Sequence, residues 1–430
     1  MTNLLWFRND LRVQDNTSLH KAMQEGRAVI GVYCFDPKQF EKDQWDFKKT
    51  ERYRAQFLIE TITALRENLS RLNIPLFVYY NTPEEVIPEL AATYDINKIY
   101  CQKEWTPEEN TVTKKLKANT NLAWIESYDQ FLFHPDAIPF ERFDDIPKVF
   151  TQFRKKCEKQ SRVQAVLLTL QPQEENKDLI NNTEIPTLQD LGLEDFSKDS
   201  RSAFLWSGGE DAASERLDHY FWKTQKLAYY KKTRNGLVGT DYSSKFSPWL
   251  ANGSISARQI YWEVKRFEKE VKKNQDTYWL IFELIWRDYF KYVSLKHGNA
   301  IFYQGGILEK DYNWYQNKAA LSDWINGKTP YDFVNANMIE LKETGWMSNR
   351  GRQNVASYWA KELNQDWRIG AAYFESMLLD YDVHSNYGNW MYNAGVGNDP
   401  RDRKFNIKRQ ADMYDSSGKF VKLWLQETLF

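Results

Sequence analysis

Short apolar runs and amphipathic stretches alternate over the first 128 residues of the chain. The runs are rich in β-branched and aromatic residues, and the stretches between them repeat apolar positions at helical spacing. The predicted strands cover residues 4–7, 28–35, 76–80, 98–102 and 122–128. The predicted helices cover residues 50–73, 83–94 and 106–119, and a Thr-Pro-Glu-Glu capping sequence marks the start of the last two. This alternation predicts an α/β fold with a doubly wound parallel sheet.

Helical periodicity dominates from residue 201 onward, and no further strand is predicted there. The residues between these two parts are polar and loop-rich after residue 158 and contain no repeat or low-complexity tract, so we expect a crossing between domains rather than a free tether. A chain of 430 residues is also too long for a single hydrophobic core. We predict an α/β domain over residues 1–128, a connector over 129–200 and an all-α domain over 201–430.

Charge is unevenly distributed along the chain, although the formal net charge is only -1. Cations exceed acids after residue 200, and acids exceed cations before it, so the helical half is expected to meet an anion. Chance variation between two solvated surfaces would explain the charge equally well. Most of the 17 tryptophans also follow residue 200, which suits stacking on flat ligands as well as a large core.

Several classes of protein are disfavoured by features that the sequence lacks. Its three cysteines, Cys34, Cys101 and Cys157, are too far apart for a disulfide framework or a metal site, which fits a reducing cytoplasm. No apolar run is long enough to span a membrane, and no signal peptide is evident. Neither Gly-x-Gly-x-x-Gly nor a phosphate-binding P-loop sequence is present, which argues against a nucleotide held by a glycine-rich loop.

The stretch from residue 346 to residue 392 places polar groups within otherwise apolar helical sequence. Asn349, Arg352 and Gln353 fall at positions i, i+3 and i+4 and therefore share one helical face. Asp380 and Asp382 follow a helix expected to end near residue 379, in a predicted loop that also contains Asn386. Buried carboxylates need cationic or N–H partners, and a large, polar, planar ligand would supply them.

These motifs resemble the photolyase/cryptochrome family, and most closely its DASH branch. In that family Trp-Met-x-Asn-Arg-x-Arg and Asp-x-Asp-x-x-x-Asn grip a flavin, and residues 346–352 and 380–386 match both strings. Residues 6–12, Trp-Phe-Arg-Asn-Asp-Leu-Arg, resemble the opening of the family's α/β antenna domain, and residues 150–158 resemble the DASH connector. Locally, the opening is a strand followed by a turn and a helix cap at Asp15 and Asn16.

The resemblance implies that the helical domain binds FAD. Ser243, Ser244, Lys245 and Ser247 would bind the pyrophosphate, with Tyr230 beside them. Without the family, the same stretch is a polar loop before a helix that starts with Pro248. The implied FAD contacts are Tyr230, Ser243, Ser244, Lys245, Phe246, Ser247, Glu283, Arg287, Asn349, Arg352, Asp380, Asp382 and Asn386.

Four of these residues would lie at the isoalloxazine ring. Arg352 and Asp380 resemble an ion pair beside the ring. Asp382 would accept a hydrogen bond from the ring imide. Asn386 would lie opposite N5, where a neutral amide tunes the redox behaviour of the flavin without adding negative charge.

The string Glu-Leu-Ile-Trp-Arg-Asp at residues 283–288 resembles the part of the family's site that faces damaged DNA. Glu283 would hydrogen-bond a pyrimidine, Trp286 would lie against its ring, and Arg287 would support the flavin. The alternative is a Glu283–Arg287 salt bridge at i and i+4 beside a core tryptophan.

Nucleic-acid contacts are implied for Arg350, Gln353, Tyr392 and the basic run over residues 401–409. Gln353 and Tyr392 replace a Met-type residue and a Trp of duplex-repairing relatives. A smaller, more polar pocket offers less stacking to offset unpairing, so single-stranded DNA is the expected substrate.

Trp390, Trp367 and Trp314 match the proximal, middle and distal members of the family's photoreduction path. A chain of close indoles can pass an electron vacancy to the surface, although each of these residues alone would be read as core. Together with Glu283 and Asn386, these tryptophans are the residues to which the resemblance assigns catalysis. Glu60 matches an acidic contact to an antenna folate, 5,10-methenyltetrahydrofolate, and a solvated helical glutamate is the alternative.

The sequence therefore predicts a monomeric, cytoplasmic enzyme that uses light and FAD to repair cyclobutane pyrimidine dimers in single-stranded DNA. The first alternative is a blue-light sensor that binds DNA without efficient repair. Signalling cryptochromes carry a long disordered tail, whereas this sequence ends at Phe430, soon after a predicted helix over residues 420–427. The second alternative, a light-independent flavoprotein oxidoreductase, is disfavoured by the absence of a nicotinamide-binding loop.

Overall fold

A computed structural model describes residues 2–174, 179 and 181–426. The first part of the fold is a five-stranded parallel sheet. The strands lie side by side in the order β3-β2-β1-β4-β5. The order reverses beside β1, so the predicted doubly wound sheet is confirmed. The strands are β1 (Thr2–Trp6), β2 (Ala28–Cys34), β3 (Leu76–Tyr79), β4 (Ile96–Gln102) and β5 (Ala123–Ser127). The helices of this part are α1 (Thr17–Gln24), α2 (Arg52–Ser70), α3 (Pro83–Thr93) and α4 (Pro107–Asn119).

Helices make up the regular structure that follows, and the described part of the chain contains no strand after Ser127. The longest helix carries a capping box at its start, where Asn274 and Thr277 bond each other's backbone. None of the described helices is long and apolar enough to cross a membrane. The helices are α5 (Phe150–Gln160), α6 (Glu210–Asp218), α7 (Tyr230–Thr233), α8 (Ser247–Asn252), α9 (Ala257–Glu270), α10 (Gln275–His297), α11 (Lys318–Ile325), α12 (Asp332–Thr344), α13 (Asn349–Ser357), α14 (Trp367–Met377), α15 (Val383–Ala394), α16 (Ile407–Tyr414) and α17 (Lys419–Leu425).

The predicted loop around Asn386 is wrong, because these residues form α15. Asp382 caps this helix by accepting a hydrogen bond from the backbone N–H of Ser385 at 2.8 Å. Gly388, which suggested a loop, lies inside the helix. A side chain does not fit at this position, because a Cβ would come within 2.2 Å of the Phe290 ring. At the chain end, the predicted helix over residues 420–427 corresponds to α17, which ends at Leu425, and residue 427 lies outside the described residues.

The connector packs against both parts of the fold. One hydrophobic cluster combines Phe57 of α2, Phe153 of α5 and Tyr289 of α10, so residues of all three predicted segments share a core. Residues 175–178 and 180 of the connector lie outside the described residues. The segment boundaries at 128 and 200 stay a prediction.

A buried ion-pair network joins the sheet to the helices. Arg258 on α9 lies 2.9 Å from Asp15 and 2.8 Å from Asp129, and Arg12 pairs with Asp129 as well. All four residues expose at most 4 % of their surface. Burial alone would raise the pKa of Asp129, but the charges of Arg12 and Arg258 hold it below its ordinary value. Asp15 therefore does more than form a turn, whereas Asn16 caps α1 as predicted.

Removing the shared carboxylate is expected to destabilise the whole molecule. Asp129→Asn leaves the buried guanidinium groups of Arg12 and Arg258 with the single carboxylate of Asp15 and should lower the free energy of unfolding by about 3–5 kcal/mol. Urea denaturation at pH 7 measures this change, and the wild-type advantage should shrink as the pH falls through the lowered pKa of Asp129. Glu270→Gln breaks an exposed pair with Arg266 and should cost less than about 1 kcal/mol. Equal losses in the two variants would contradict the role of the network.

Candidate functional site

A cavity of about 380 Å³ lies among α8, α10, α13, α15 and the loop between α14 and α15. An adjoining cavity of about 70 Å³ is lined by Asn386, Trp390 and Asn393, among others. The fold brings every residue predicted to contact FAD to one of these two cavities. The larger cavity is lined by Tyr230, Ser243, Ser244, Lys245, Phe246, Ser247, Glu283, Arg287, Asn349, Arg352, Asp380 and Asp382, and also by Trp286, Gln353 and Tyr392.

A buried lysine without a hydrogen-bond partner among the described residues lines the larger cavity. Lys245 exposes only 2 % of its surface, and its Nζ has no hydrogen-bond partner within the described part of the chain. The ammonium lies 3.2 Å from the ring centroid of Tyr242 and 4.5 Å from that of Trp346. Burial lowers the pKa of Lys245 well below its ordinary value. An anionic ligand in the cavity would supply the missing partner.

The loop that carries Lys245 is held by an arginine that the sequence reasoning missed. Arg216 of α6 is fully buried and donates to the carbonyl oxygens of Ser243 and Ser244, each at 3.0 Å. Its charge is paired with Asp241 at 2.7 Å. Arg216 thus holds the loop over residues 243–247 through its backbone, which leaves the hydroxyls of the serines in this loop available for a ligand.

The two aspartates of the predicted flavin motif are each paired with a cation of the protein. Both terminal oxygens of Asp380 accept hydrogen bonds from Arg352 at 2.9 Å. Asp382 lies 2.7 Å from Lys291, a buried residue of α10. Burial would raise the pKa of Asp382, but Lys291, His384 and Arg287 together outweigh the effect of burial and hold that pKa far below its ordinary value.

The expectation that a ligand must supply these partners is therefore wrong. Lys291 was missed because a lysine in an amphipathic helix is normally solvated. A signal was available, since Lys291 follows Arg287 by four residues and shares its helical face.

Asn386 is buried with a fixed amide orientation. Its Nδ2 donates to the backbone oxygen of Ala371 at 3.0 Å, so the carbonyl oxygen is the group left for the adjoining cavity. A hydrogen-bond acceptor at this point suits a ligand group that bears a proton.

Glu283 pairs with Arg234 and not with Arg287. Arg234 Nη1 lies 2.6 Å from Glu283 Oε1, whereas Arg287 donates to the backbone oxygens of Leu250 and Gln130. The alternative of a Glu283–Arg287 salt bridge is therefore wrong. Arg287 is already bound to backbone, and Glu283 keeps its carboxylate at the wall of the cavity.

Trp286 is stacked on a ring of the connector. Phe150, the first residue of α5, lies face to face with it at 3.6 Å between ring centroids and an interplanar angle of 12°. Tyr392 meets Trp286 edge-on at 6.1 Å. The indole plane is thus held between two rings while it borders the cavity.

Of the three predicted tryptophans, Trp390 lines a cavity, and Trp367 and Trp314 line neither of the two. Trp390 lines the smaller cavity and packs on the backbone of Gly370, where a Cβ would come within 2.2 Å of its ring. Trp367 is the first residue of α14, one turn before Gly370, and it is buried. Trp314 is half-buried. The sequence reasoning missed Trp324, a fully buried residue whose ring lies 6.3 Å from that of Trp390.

Glu60 faces a separate small cavity between α2 and the residues that precede α6. Glu60 Oε2 accepts from the backbone N–H of Gly208 at 2.8 Å, and Oε1 lies 3.2 Å from Lys198 Nζ. The cavity measures about 40 Å³, and its lining includes the rings of Tyr53, Phe57 and Phe204. The alternative of a solvated helical glutamate is thus weakened.

A neighbouring carboxyl group yields a test of the charge balance beside Lys245. Burial raises the pKa of Glu340 from 4.5 to about 8, so its contribution to stability is lost as pH rises through that range. Glu340→Gln stays neutral, and its free energy of unfolding relative to wild type should rise by about 3 kcal/mol between pH 5 and pH 8. Urea denaturation of the ligand-free protein measures this difference. Glu343→Gln, at an exposed position of the same helix, is the control. A flat profile for both variants would contradict the assignment.

Two family models match the chain. Residues 3–175 match the model described as DNA photolyase, and residues 279–429 match the FAD binding domain of DNA photolyase. Among solved structures, a cryptochrome from Synechocystis sp. PCC6803 is 44% identical with a TM-score of 0.94, covering 99% of this chain and 88% of that one. A class III photolyase from Agrobacterium tumefaciens has a TM-score of 0.83 at 24% identity, covers 98% of this chain and 86% of that one, and shows likeness of fold alone.

Curated relatives named Cryptochrome DASH are similar along nearly the whole chain. The Synechocystis sp. protein is 45% identical, covering 99% of this chain and 88% of the relative. The Danio rerio protein is 45% identical, covering 99% and 83%. The Arabidopsis thaliana protein, named chloroplastic/mitochondrial, is 44% identical, covering 99% and 75%. With this identity over both parts of the fold, the chain belongs to the photolyase/cryptochrome family and, within it, to the DASH cryptochromes.

Proposed function

We propose that this protein is an FAD-dependent enzyme that uses blue light to split cyclobutane pyrimidine dimers in single-stranded DNA. One observation carries the proposal: the predicted flavin contacts other than Asn386 line the same cavity as Trp286, Gln353 and Tyr392, which are predicted to contact the base. Glu283, Trp286, Gln353 and Tyr392 border the space that also contains Lys245 and the two paired aspartates. A cofactor and a base bound there would be close neighbours.

The residues of the cavity fit FAD in charge and hydrogen-bonding pattern. Lys245 is a buried cation that lacks an acceptor, and the diphosphate of FAD would supply one. Ser243, Ser244 and Ser247 would add hydroxyl donors. Asp382, held ionised by Lys291, would accept a hydrogen bond from the ring imide. Bound FAD supplies light-driven one-electron chemistry; the residues of the chain bind and orient it.

The base contacts favour a pyrimidine that has already left its stack. Trp286 offers an indole face braced by Phe150, and stacking of one base on an aromatic ring contributes about 1–3 kcal/mol. Glu283 would accept a hydrogen bond from a ring N–H of the pyrimidine. Tyr392 stands edge-on to Trp286 and adds little parallel surface, so the energy available to unpair a duplex is small.

A basic surface near Tyr392 would hold the phosphates of the strand. Arg403 donates to the hydroxyl of Tyr392 at 3.2 Å. Arg401, Lys408 and Arg409 are exposed and form no ion pair with the described residues, so they remain available for an anion. These cations supply sequence-independent affinity that falls with salt.

We also propose that the protein acts as a monomer in a reducing compartment, the cytoplasm. Its three cysteines are free and buried, which suits a compartment in which thiols stay reduced.

Blue-light repair of oligonucleotides that contain a thymine dimer tests the proposed activity. We expect light-dependent restoration of the two thymines in single strands and at least tenfold slower repair of the same lesion in a duplex, because unpairing costs a few kcal/mol. Chromatography of the oligonucleotide products measures both rates. Absence of repair in both substrates would overturn the proposal in favour of a light sensor. Equal rates would overturn the restriction to single strands.

Trp390→Phe should slow photoreduction of the bound flavin by at least tenfold, because phenylalanine is much harder to oxidise than tryptophan. Trp390 lines the cavity beside Asn386, whereas Trp262 lies on the surface at 41% exposure. Absorption recorded during illumination measures the rate, and Trp262→Phe is the control with the same substitution. An unchanged rate in Trp390→Phe would exclude this residue as the proximal donor.

We propose 5,10-methenyltetrahydrofolate as the antenna ligand of the cavity beside Glu60. Rings and a carboxylate line that cavity, and a pterin presents both a flat face and N–H donors. Glu60→Gln removes the anionic acceptor and should lower the folate content at least threefold while FAD content stays constant. Absorption after denaturation measures both ligands. Glu67→Gln, at an exposed position of the same helix, is the control. Equal folate in both variants would contradict the assignment.

A further inference from the structure

Arg350 and Gln353 lie one turn apart on α13 and form a directional hydrogen bond. Arg350 Nη1 donates to Gln353 Oε1 at 2.9 Å. A guanidinium group has donors only, so the amide of Gln353 must turn its oxygen toward Arg350 and its NH2 group away. Gln353 lines both cavities, and Arg350 is not among the lining residues of either one.

Arg350 is itself held behind the cavity wall. Its guanidinium lies 4.5 Å from the ring centroid of Tyr414 on α16, and Nη2 is 3.5 Å from Asn235 Oδ1. Helix α16 is tied to α13, because Asn354 donates to Gln410 at 3.5 Å. Burial lowers the pKa of Arg350. A side chain clamped in this way is poorly placed to reach for a phosphate.

The NH2 group of Gln353 forms no hydrogen bond within the described part of the chain, so its donors are left for a ligand. Glu283 offers an acceptor at the wall of the same cavity. A thymine presents a carbonyl acceptor beside its N3–H donor, whereas a cytosine presents an amino donor where thymine has that carbonyl. One acceptor and one fixed donor therefore complement thymine.

We propose that Arg350 is a positioning residue that fixes the amide of Gln353, so that Gln353 donates a hydrogen bond to a carbonyl oxygen of the bound thymine. The inference rests on the proposed function, which brings a damaged pyrimidine to this cavity. It replaces direct contact of Arg350 with DNA by an indirect role. Arg350 contributes to recognition of the lesion and not to sequence-independent affinity.

The two roles of Arg350 differ in their salt dependence. Loss of a phosphate contact weakens binding of damaged and undamaged strands alike and lowers the slope of log affinity against log salt by about 0.7 for a single strand. Loss of a positioning contact leaves that slope unchanged and weakens only the binding of damaged DNA. Arg409, exposed on α16, provides the matched substitution at a surface cation.

The experiment measures binding of the FAD-containing protein to labelled single strands, with or without one thymine dimer, by fluorescence anisotropy in the dark at several salt concentrations. We expect Arg350→Met to lower affinity for the dimer strand about three- to tenfold, the effect of one hydrogen bond, with less than twofold change for the undamaged strand. Its salt slope should match wild type, whereas Arg409→Met should lower the slope. FAD content and thermal midpoint confirm that each variant is folded.

Gln353→Met tests the same bond from the side of the amide without disturbing the packing of Arg350. It should reduce the preference for the dimer strand by the same factor, and Arg350→Met combined with Gln353→Met should cost no more than either change alone. Additive losses, or a lower salt slope in Arg350→Met, would overturn the positioning role alone. A wild-type protein that binds both strands equally would overturn the proposed function and this inference with it.

Discussion

Two carboxylates beside the larger cavity, Asp380 and Asp382, are each matched by one cation, and the shape of the site depends on these pairs. Arg352 binds both oxygens of Asp380, and Lys291 lies 2.7 Å from Asp382. A buried ion is stable only when a partner and further hydrogen bonds replace its hydration. Because each pair bridges separate elements of the helical part, the pairs fix the distance between α10, α13 and the start of α15. Charged side chains therefore line the cavity, and they do not collapse into it as apolar side chains would.

The same principle joins the sheet to the helices. Arg12, Asp15, Asp129 and Arg258 form a closed, buried set of charges at the end of the sheet. Trp105, three residues after the end of β4, stacks on His384 of α15 at 4.5 Å between ring centroids, and the next residue of that helix, Ser385, lines the cavity. The position of α15 thus depends on the sheet as well as on its neighbouring helices. The sheet part therefore supports the site.

The sequence could predict the sheet, the helical second half and most cavity residues, because these depend on local periodicity and on short motifs. Apart from the Arg352–Asp380 pair, which the resemblance implied and the structure contains, it could not predict which cation meets which carboxylate. Glu283 had an obvious partner at i+4, yet the pair forms with Arg234, because Arg287 turns to the backbone oxygens of Leu250 and Gln130. Lys291 was not identified as the partner of Asp382 because the sequence alone does not show that α10 lies against the start of α15. Such choices depend on how helices cross, and that information is spread over the whole chain.

Local composition also misled where a polar string forms a helix. Asn386 and Gly388 favour a loop by propensity, but the cap at Asp382 and the close approach of Phe290 to Gly388 favour α15. The role of Gly370 was equally hidden, because only the folded chain shows Trp390 lying on its backbone. Propensity is a weak prior, and tertiary packing overrides it at the site itself.

The central claim is that this cavity holds one flavin whose diphosphate satisfies the buried ammonium of Lys245. The most direct measurement is the absorption spectrum of the purified protein, recorded before and after denaturation and again after incubation with FAD. The account predicts one FAD per chain, released intact by denaturation. It also predicts a lower FAD content in Lys245→Met and an unchanged FAD content in Lys272→Met. A colourless protein that takes up no FAD would contradict it.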